Sequence, residues 1–218
     1  LICLYRIALN QKRKIVIFQN GSDLKTISSF FRLSGEDYRL IKGSGVNLLA
    51  YNYTPLPRGV PIVMFASRLL KEKGVEDFVN AAKLLIHRDI KFVIVGPLDK
   101  DNPTSVTLDD LAKWTFDENI EWWGYKDNME DVIKLATIVV FPSYYKEGVP
   151  KILLEAASSG RPVVTTDQPG CRDAIEDGVT GFLVPIKNPK MLAQRIEDLI
   201  LHPELLAEMG KNARKLAE

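Results

Sequence analysis

Short apolar runs recur along the chain at 14–18, 61–66, 91–96, 120–123, 137–141, 162–166 and 181–184. They are continuous and rich in Val and Ile rather than alternating, as strands buried on both faces should be. Between them lie stretches of helical period at 75–88, 108–118, 128–135, 150–159, 190–201 and 203–217. In the first of these, Phe78, Ala81, Ala82, Leu85 and Ile86 recur at spacings of three and four, which marks a core-facing stripe. Strand and helix alternate, so the pattern predicts an α/β fold: a doubly wound parallel sheet with helices on both sides.

The pattern breaks at Tyr51-Asn52-Tyr53-Thr54-Pro55-Leu56-Pro57-Arg58-Gly59, where two prolines and a glycine stiffen and interrupt the chain. A domain boundary is expected near residue 57. Residues 1–57 are then the tail of another domain plus a linker, and residues 58–218 one α/β domain. The first residue is Leu1, and Leu1 to Arg6 reads like the middle of a helix, so we expect a fragment whose upstream portion is absent.

Composition narrows the function classes. The 218 residues are 46% hydrophobic, enough for a substantial core. With 29 basic and 28 acidic residues, no global field argues for nucleic acid or an acidic partner. Two cysteines, Cys3 and Cys171, lie far apart, which suggests a reducing compartment and no zinc site. His87 and His202 are the only histidines, so a metal centre built on His or Cys is not expected. No apolar run reaches the ~20 residues that span a bilayer.

Candidate chemistry gathers at two strand ends. Ser67-Arg68-Leu69-Leu70-Lys71-Glu72-Lys73-Gly74 follows the run ending at Ala66. Arg68 offers a planar fork and Lys73 a point charge, a combination suited to a diphosphate, and Gly74 permits close backbone approach. The alternative is an ordinary solvated turn. The second segment, Glu147-Gly148-Val149-Pro150-Lys151-Ile152-Leu153-Leu154-Glu155, follows the run ending at Phe141. Pro150 suits a first helical turn, and the N–H groups of Lys151 and Ile152 would then face a phosphate. Glu155, roughly 7 Å farther along the axis, could hold ribose hydroxyls, and Glu147 could reach a sugar beyond the phosphates. The alternative makes Glu147 a helix-start anion and Glu155 a surface residue. However, Leu153, Leu154, Ala156 and Ala157 surround Glu155, and a buried carboxylate needs a partner. Tyr125 and Lys126 are candidates to border a base. Neither G-x-G-x-x-G after a strand nor G-x-x-x-x-G-K-[ST] occurs.

Taken in order, Arg68…Lys73-Gly74, Val95-Gly96-Pro97, Phe141-Pro142-Ser143, Glu147…Glu155, Pro169-Gly170-Cys171-Arg172 and Gly178…Gly181-Phe182-Leu183-Val184-Pro185 resemble the family 4 retaining glycosyltransferases. The likeness extends to bacterial enzymes that build polysaccharide and lipid-linked glycans, and it covers nearly the whole chain. It implies GT-B architecture, two Rossmann-like domains facing across a cleft, with 58–218 as the C-terminal donor-binding domain and 1–57 the end of the acceptor domain.

By that resemblance Arg68 and Lys73 neutralise the diphosphate, Glu155 holds the ribose and Glu147 contacts the transferred sugar as the catalytic-site carboxylate. Gly148, Val149, Lys151 and Ile152 complete the donor-binding segment. The implied reaction moves a hexosyl or N-acetylhexosaminyl group, preferentially from a uridine diphosphate sugar, to an acceptor hydroxyl with retention. It uses no metal or other cofactor. The implied partners are the nucleotide sugar and a glycan or lipid-linked acceptor. The location is cytoplasmic, with peripheral membrane contact through the N-terminal domain; Arg6, Lys12, Arg13 and Lys14 are its only trace here. Ser67 stands where the family often has glycine. Lacking its acceptor domain, the fragment is expected to bind donor weakly and transfer nothing. The alternatives are a sugar-nucleotide epimerase of the same fold and a non-catalytic binding module.

Overall fold

The computed structural model describes residues 2–11, 13–116 and 119–218. Leu1 and Lys12, and the last two positions of the helix expected at 108–118, lie outside them. The chain opens with α1 (Ile2–Leu9), β1 (Val16–Phe18), α2 (Gly21–Phe30) and β2 (Tyr38–Leu40). β1 and β2 pair in parallel as a two-stranded sheet.

A larger sheet follows, with β3 (Ile62–Ala66), α3 (Val75–Leu84), β4 (Lys91–Val95), α4 (Leu108–Trp114) and β5 (Ile120–Gly124) forming its first half. The second half is α5 (Met129–Val132), β6 (Ile138–Phe141), α6 (Lys151–Ser158), β7 (Val163–Thr166), β8 (Gly181–Val184), α7 (Pro189–Leu201) and α8 (Pro203–Ala217). Its strand order is β5-β4-β3-β6-β7-β8, and every pairing is parallel. The chain therefore builds outward from β3 in one direction, then returns to β6 and builds outward in the other. Connections diverge from the β3–β6 boundary and leave a crevice at the carboxyl ends of these strands.

The apolar runs explain the layering. β6 and β7 are buried at every residue, whereas the edge strand β8 is only half-buried in the middle and the edge strand β5 exposes Trp122 at its centre. Two helix pairs, α3 with α7 and α6 with α8, pack together and cover the sheet. Phe65 links the layers: its ring lies 5.7 Å from Phe78 and 6.3 Å from Phe141, and Phe78 lies 5.7 Å from Phe92. Each such pair adds about 0.5–1.5 kcal/mol beyond burial.

Several boundaries differ from the sequence expectation for local reasons. α3 stops at Leu84, because the Leu85 N–H bonds Ala82 O in a tighter turn. The helix expected at 128–135 divides into α5 and a 3-10 turn, Ile133–Leu135. Pro150 is the cap of α6 (φ −63°, ψ 127°) rather than its first helical residue. α2 and β2 lie outside the expected elements. α2 buries none of its residues and so carries no apolar stripe; its sequence sign is Asn20 followed three residues later by Asp23.

Residues 48–55 are bolted to α6 and α8 by two arginines. Arg214 donates to Tyr51 O at 3.2 Å and Ser158 O at 2.9 Å. Arg161 is fully buried and donates to Thr54 Oγ1, to Pro55 O at 3.3 Å and to Lys134 O at 3.3 Å. Burial pulls its guanidinium down to about 10.

Candidate functional site

Two loops meet at the β3–β6 crevice. From β3 the chain runs through Ser67 and Arg68 into a 3-10 turn, Lys71–Lys73, and reaches α3 through Gly74. From β6 it runs through Pro142 and Ser143 to Glu147 and the start of α6. Backbone contacts lock the loops together, since the Tyr144 N–H donates to Glu72 O at 3.1 Å. Lys73 Nζ then lies 2.8 Å from both Glu147 oxygens. Ser143, fully buried, places its hydroxyl 3.2 Å from Glu147 Oε1, and Thr166 Oγ1 fixes the Ser143 carbonyl from below. The ammonium also lies 5.4 Å from the Tyr145 ring and 5.8 Å from the Phe141 ring. Lys73 and Glu147 keep only 13% and 21% of their side-chain surface, so each depends on the other.

Arg68 does not join this cluster. It leaves β3 in another direction and pairs with Asp99 at 2.9 Å, with most of its side chain exposed. The free cationic clamp expected from Arg68 and Lys73 is therefore absent in this state: a carboxylate claims each cation.

A second neighbourhood lies beside it. A cavity of about 170 Å³ opens at the carboxyl ends of β3, β4 and β5, lined by Ser67, Tyr125, Lys126, Met129, Ile152 and Glu155 among others. Glu155 keeps 8% of its side-chain surface and bonds Lys151 Nζ at 3.3 Å. Burial, followed by hydrogen bonding to Glu155, pushes the Tyr51 phenol up. The backbone N–H groups of Lys151 and Ile152 form the first turn of α6, ahead of any intrahelical acceptor.

The structure thus brings Tyr125, Lys126, Ile152 and Glu155 to one cavity and Lys73 to Glu147. Val149 is different: its side chain is part of the core, so only its backbone faces the loop. Gly148 lies against Gln19, a residue of the amino-terminal segment. Sequence reasoning missed Asp99 as the partner of Arg68, the Ser143 hydroxyl and Tyr51. Only Ser143 had a local signal, its place directly after Pro142.

Cys171 sits at the edge of the same loop, fully buried, where burial pushes its thiol up. A thiol held protonated is a poor nucleophile. We expect native Cys171 to resist iodoacetamide at pH 8 and to react at once in urea, as peptide mapping would show; fast native labelling would contradict this placement.

A larger cavity of about 660 Å³ lies at the opposite end of the sheet, around Ile86, Arg88, Lys91 and Phe116. Its cations are engaged, Arg88 by Glu197 and Lys91 by Glu121. Among the described residues no cluster of three His, Cys, Asp or Glu forms, and no helix is long and apolar enough to cross a membrane.

The sheet order is that of a GT-B glycosyltransferase fold. UDP-bound HepE from Anabaena superposes on 99% of this chain and 63% of its own, with a TM-score of 0.84 at 20% identity. The family model for glycosyl transferases group 1 matches residues 52–216, and the chain belongs to that family.

Among curated relatives, the N,N'-diacetylbacillosaminyl-diphospho-undecaprenol alpha-1,3-N-acetylgalactosaminyltransferase of Campylobacter jejuni is 33% identical over 153 residues, 70% of this chain and 39% of that protein. The alpha-D-kanosaminyltransferase of Streptomyces kanamyceticus is 36% identical over 162 residues, 72% of this chain and 40% of that protein. The chain thus spans about two fifths of the length of these relatives. These relationships do not favour the epimerase or the binding-module alternative.

Proposed function

We propose that this chain binds the nucleoside diphosphate sugar of a retaining glycosyltransferase in glycan biosynthesis. Residues 58–218 are the donor-binding domain, and residues 1–57 are the tail of the acceptor domain with its linker. One observation carries the reading: Arg68, Lys73, the open start of α6 and the cavity ending at Glu155 all lie at the carboxyl ends of the strands beside the sheet's switch point. Base, ribose and diphosphate then fit in sequence along this edge, with Tyr125 and Lys126 at the base and Glu155 at the ribose. Glu147 meets the sugar.

On donor entry the β-phosphate becomes a second anion for Lys73, which Glu147 already aims, and Arg68 exchanges Asp99 for phosphate oxygens. As the bond from the anomeric carbon to the diphosphate breaks, the bond to the acceptor oxygen forms on the same face and the hydroxyl proton passes to the departing diphosphate oxygen, while these cations and the helix start stabilise the leaving charge. No metal is needed for that role. The UDP in HepE supports a uridine nucleotide, and the Campylobacter relative supports an N-acetylhexosaminyl donor and a lipid-linked acceptor. Such an acceptor implies cytoplasmic action at the inner face of the membrane, contacted peripherally by the rest of the protein. This chain by itself binds donor and transfers nothing.

Calorimetric titration with UDP tests the site. We expect saturable binding that Arg68→Ala and Glu155→Ala each weaken by roughly tenfold or more, the loss typical of a charge-assisted contact. Unchanged binding in both variants would remove the assignment.

A further inference from the structure

The loop carrying Glu147 is also held from the amino-terminal segment. Directly after β1, Gln19 lies against Gly148: a Cβ on Gly148 would fall 1.9 Å from Gln19 Oε1. Asn20 follows and is fully buried. Its Oδ1 accepts the Asp23 N–H at 2.8 Å and so caps α2. Its Nδ2 donates to Asp23 Oδ2 at 2.8 Å and to the Glu147 carbonyl at 3.4 Å. A cap needs only the oxygen. The amide nitrogen is what reaches across 127 residues of sequence to the donor loop. At 3.4 Å this bond is at its long limit, so a small approach of the two segments strengthens it. On the other side of the same peptide, a Cβ on Gly170 would fall 2.5 Å from Glu147 O. The Glu147 backbone is therefore boxed between Asn20 and Gly170, while Lys73 and Ser143 hold its carboxylate.

We propose that Asn20 is a positioning residue for Glu147: its buried amide ties the end of β1 to the loop whose carboxylate meets the transferred sugar. This rests on the reading of Glu147 given above. Removing the amide leaves Arg68, Lys73, the start of α6 and Glu155 in place, so the loss falls on the sugar and not on the nucleotide.

Asn20→Ser keeps a capping oxygen but removes the amide nitrogen, and the shorter hydroxyl does not reach the Glu147 carbonyl. The chain is titrated calorimetrically with UDP, UDP-glucose and UDP-N-acetylglucosamine, and the ratio of conjugate to UDP affinity reports the sugar's contribution. We expect N20S to lower that ratio roughly fivefold, as loss of one hydrogen bond would, with UDP affinity and melting temperature unchanged. N20D keeps a capping oxygen but sets a carboxylate where the amide now donates to Asp23 Oδ2, so it should lower the ratio at least as far and lower the melting temperature as well. E147Q is the reference. If E147Q lowers the ratio and N20S and N20D do not, the role of Asn20 is overturned alone. If E147Q leaves the ratio unchanged, the reading of Glu147 fails and takes this proposal with it. If N20S and N20D lower both affinities together with the melting temperature, Asn20 is only a helix cap and the proposal is overturned.

Discussion

Lys73→Met is expected to cost about 2–3 kcal/mol of stability and to weaken UDP binding by roughly thirtyfold or more. The substitution keeps the apolar stem that packs between Phe141 and Tyr145 but removes the charge. Glu147 is then left with the Ser143 hydroxyl as its near side-chain partner, in a loop where only a fifth of its side chain meets water. Stripping one partner from a buried pair costs more than the pair itself contributes. The double variant Lys73→Met, Glu147→Leu should therefore recover most of the stability while recovering no binding. Urea unfolding of the single and double variants separates the two effects. A single variant as stable as the wild type would show that the pair is not the tie between the β3 and β6 loops.

Gly74→Ala is expected to be severely damaging for so small a change, costing about 3 kcal/mol or more and abolishing donor binding. Gly74 has φ 82° and ψ 19°, a left-handed conformation that costs any other residue about 1–2 kcal/mol. Steric contact costs more still: a Cβ there would lie 2.1 Å from the Pro142 carbonyl oxygen, a backbone atom fixed by the loop below it. To relieve the clash, the two loops must separate, and Lys73 would withdraw from Glu147. Gly178→Ala is the control. It shares a positive φ of 75° but meets nothing within 4 Å, so it should cost only about 1 kcal/mol. Equal melting temperatures for the two variants would contradict the packing described.

Much of the fold is legible in the sequence because burial in a parallel sheet writes itself directly into the chain. The runs that form β3 and β6 are apolar throughout, β4 adds only Lys91 at its start and β7 only the buried Thr165 and Thr166 at its end, and Phe78, Ala81 and Ala82 mark the stripe that α3 buries. α2 and β2 leave no such trace: α2 buries nothing, and β2 is three residues with one half-buried side chain. Chemistry is legible where it is local. The leucines and alanines around Glu155 mark it as a buried carboxylate, and it is buried, with Lys151 one turn before it as partner.

Pairings made through space are not legible. Lys73 finds Glu147 across 74 residues and Arg68 finds Asp99 across 31. Nothing in the spacing of either pair distinguishes it from the many other charges on the chain. The eight-residue interval between Glu147 and Glu155 does not say that Glu147 turns to Lys73 in the crevice while Glu155 lines the neighbouring cavity.

The most direct test is a crystal structure of this chain soaked with UDP. We expect the diphosphate between Arg68, Lys73 and the N–H groups of Lys151 and Ile152. The ribose should lie on Glu155 and the uracil in the cavity beside Tyr125 and Lys126. Nucleotide density instead at the opposite end of the sheet, in the larger cavity around Arg88, Lys91 and Phe116, would contradict the proposed donor site.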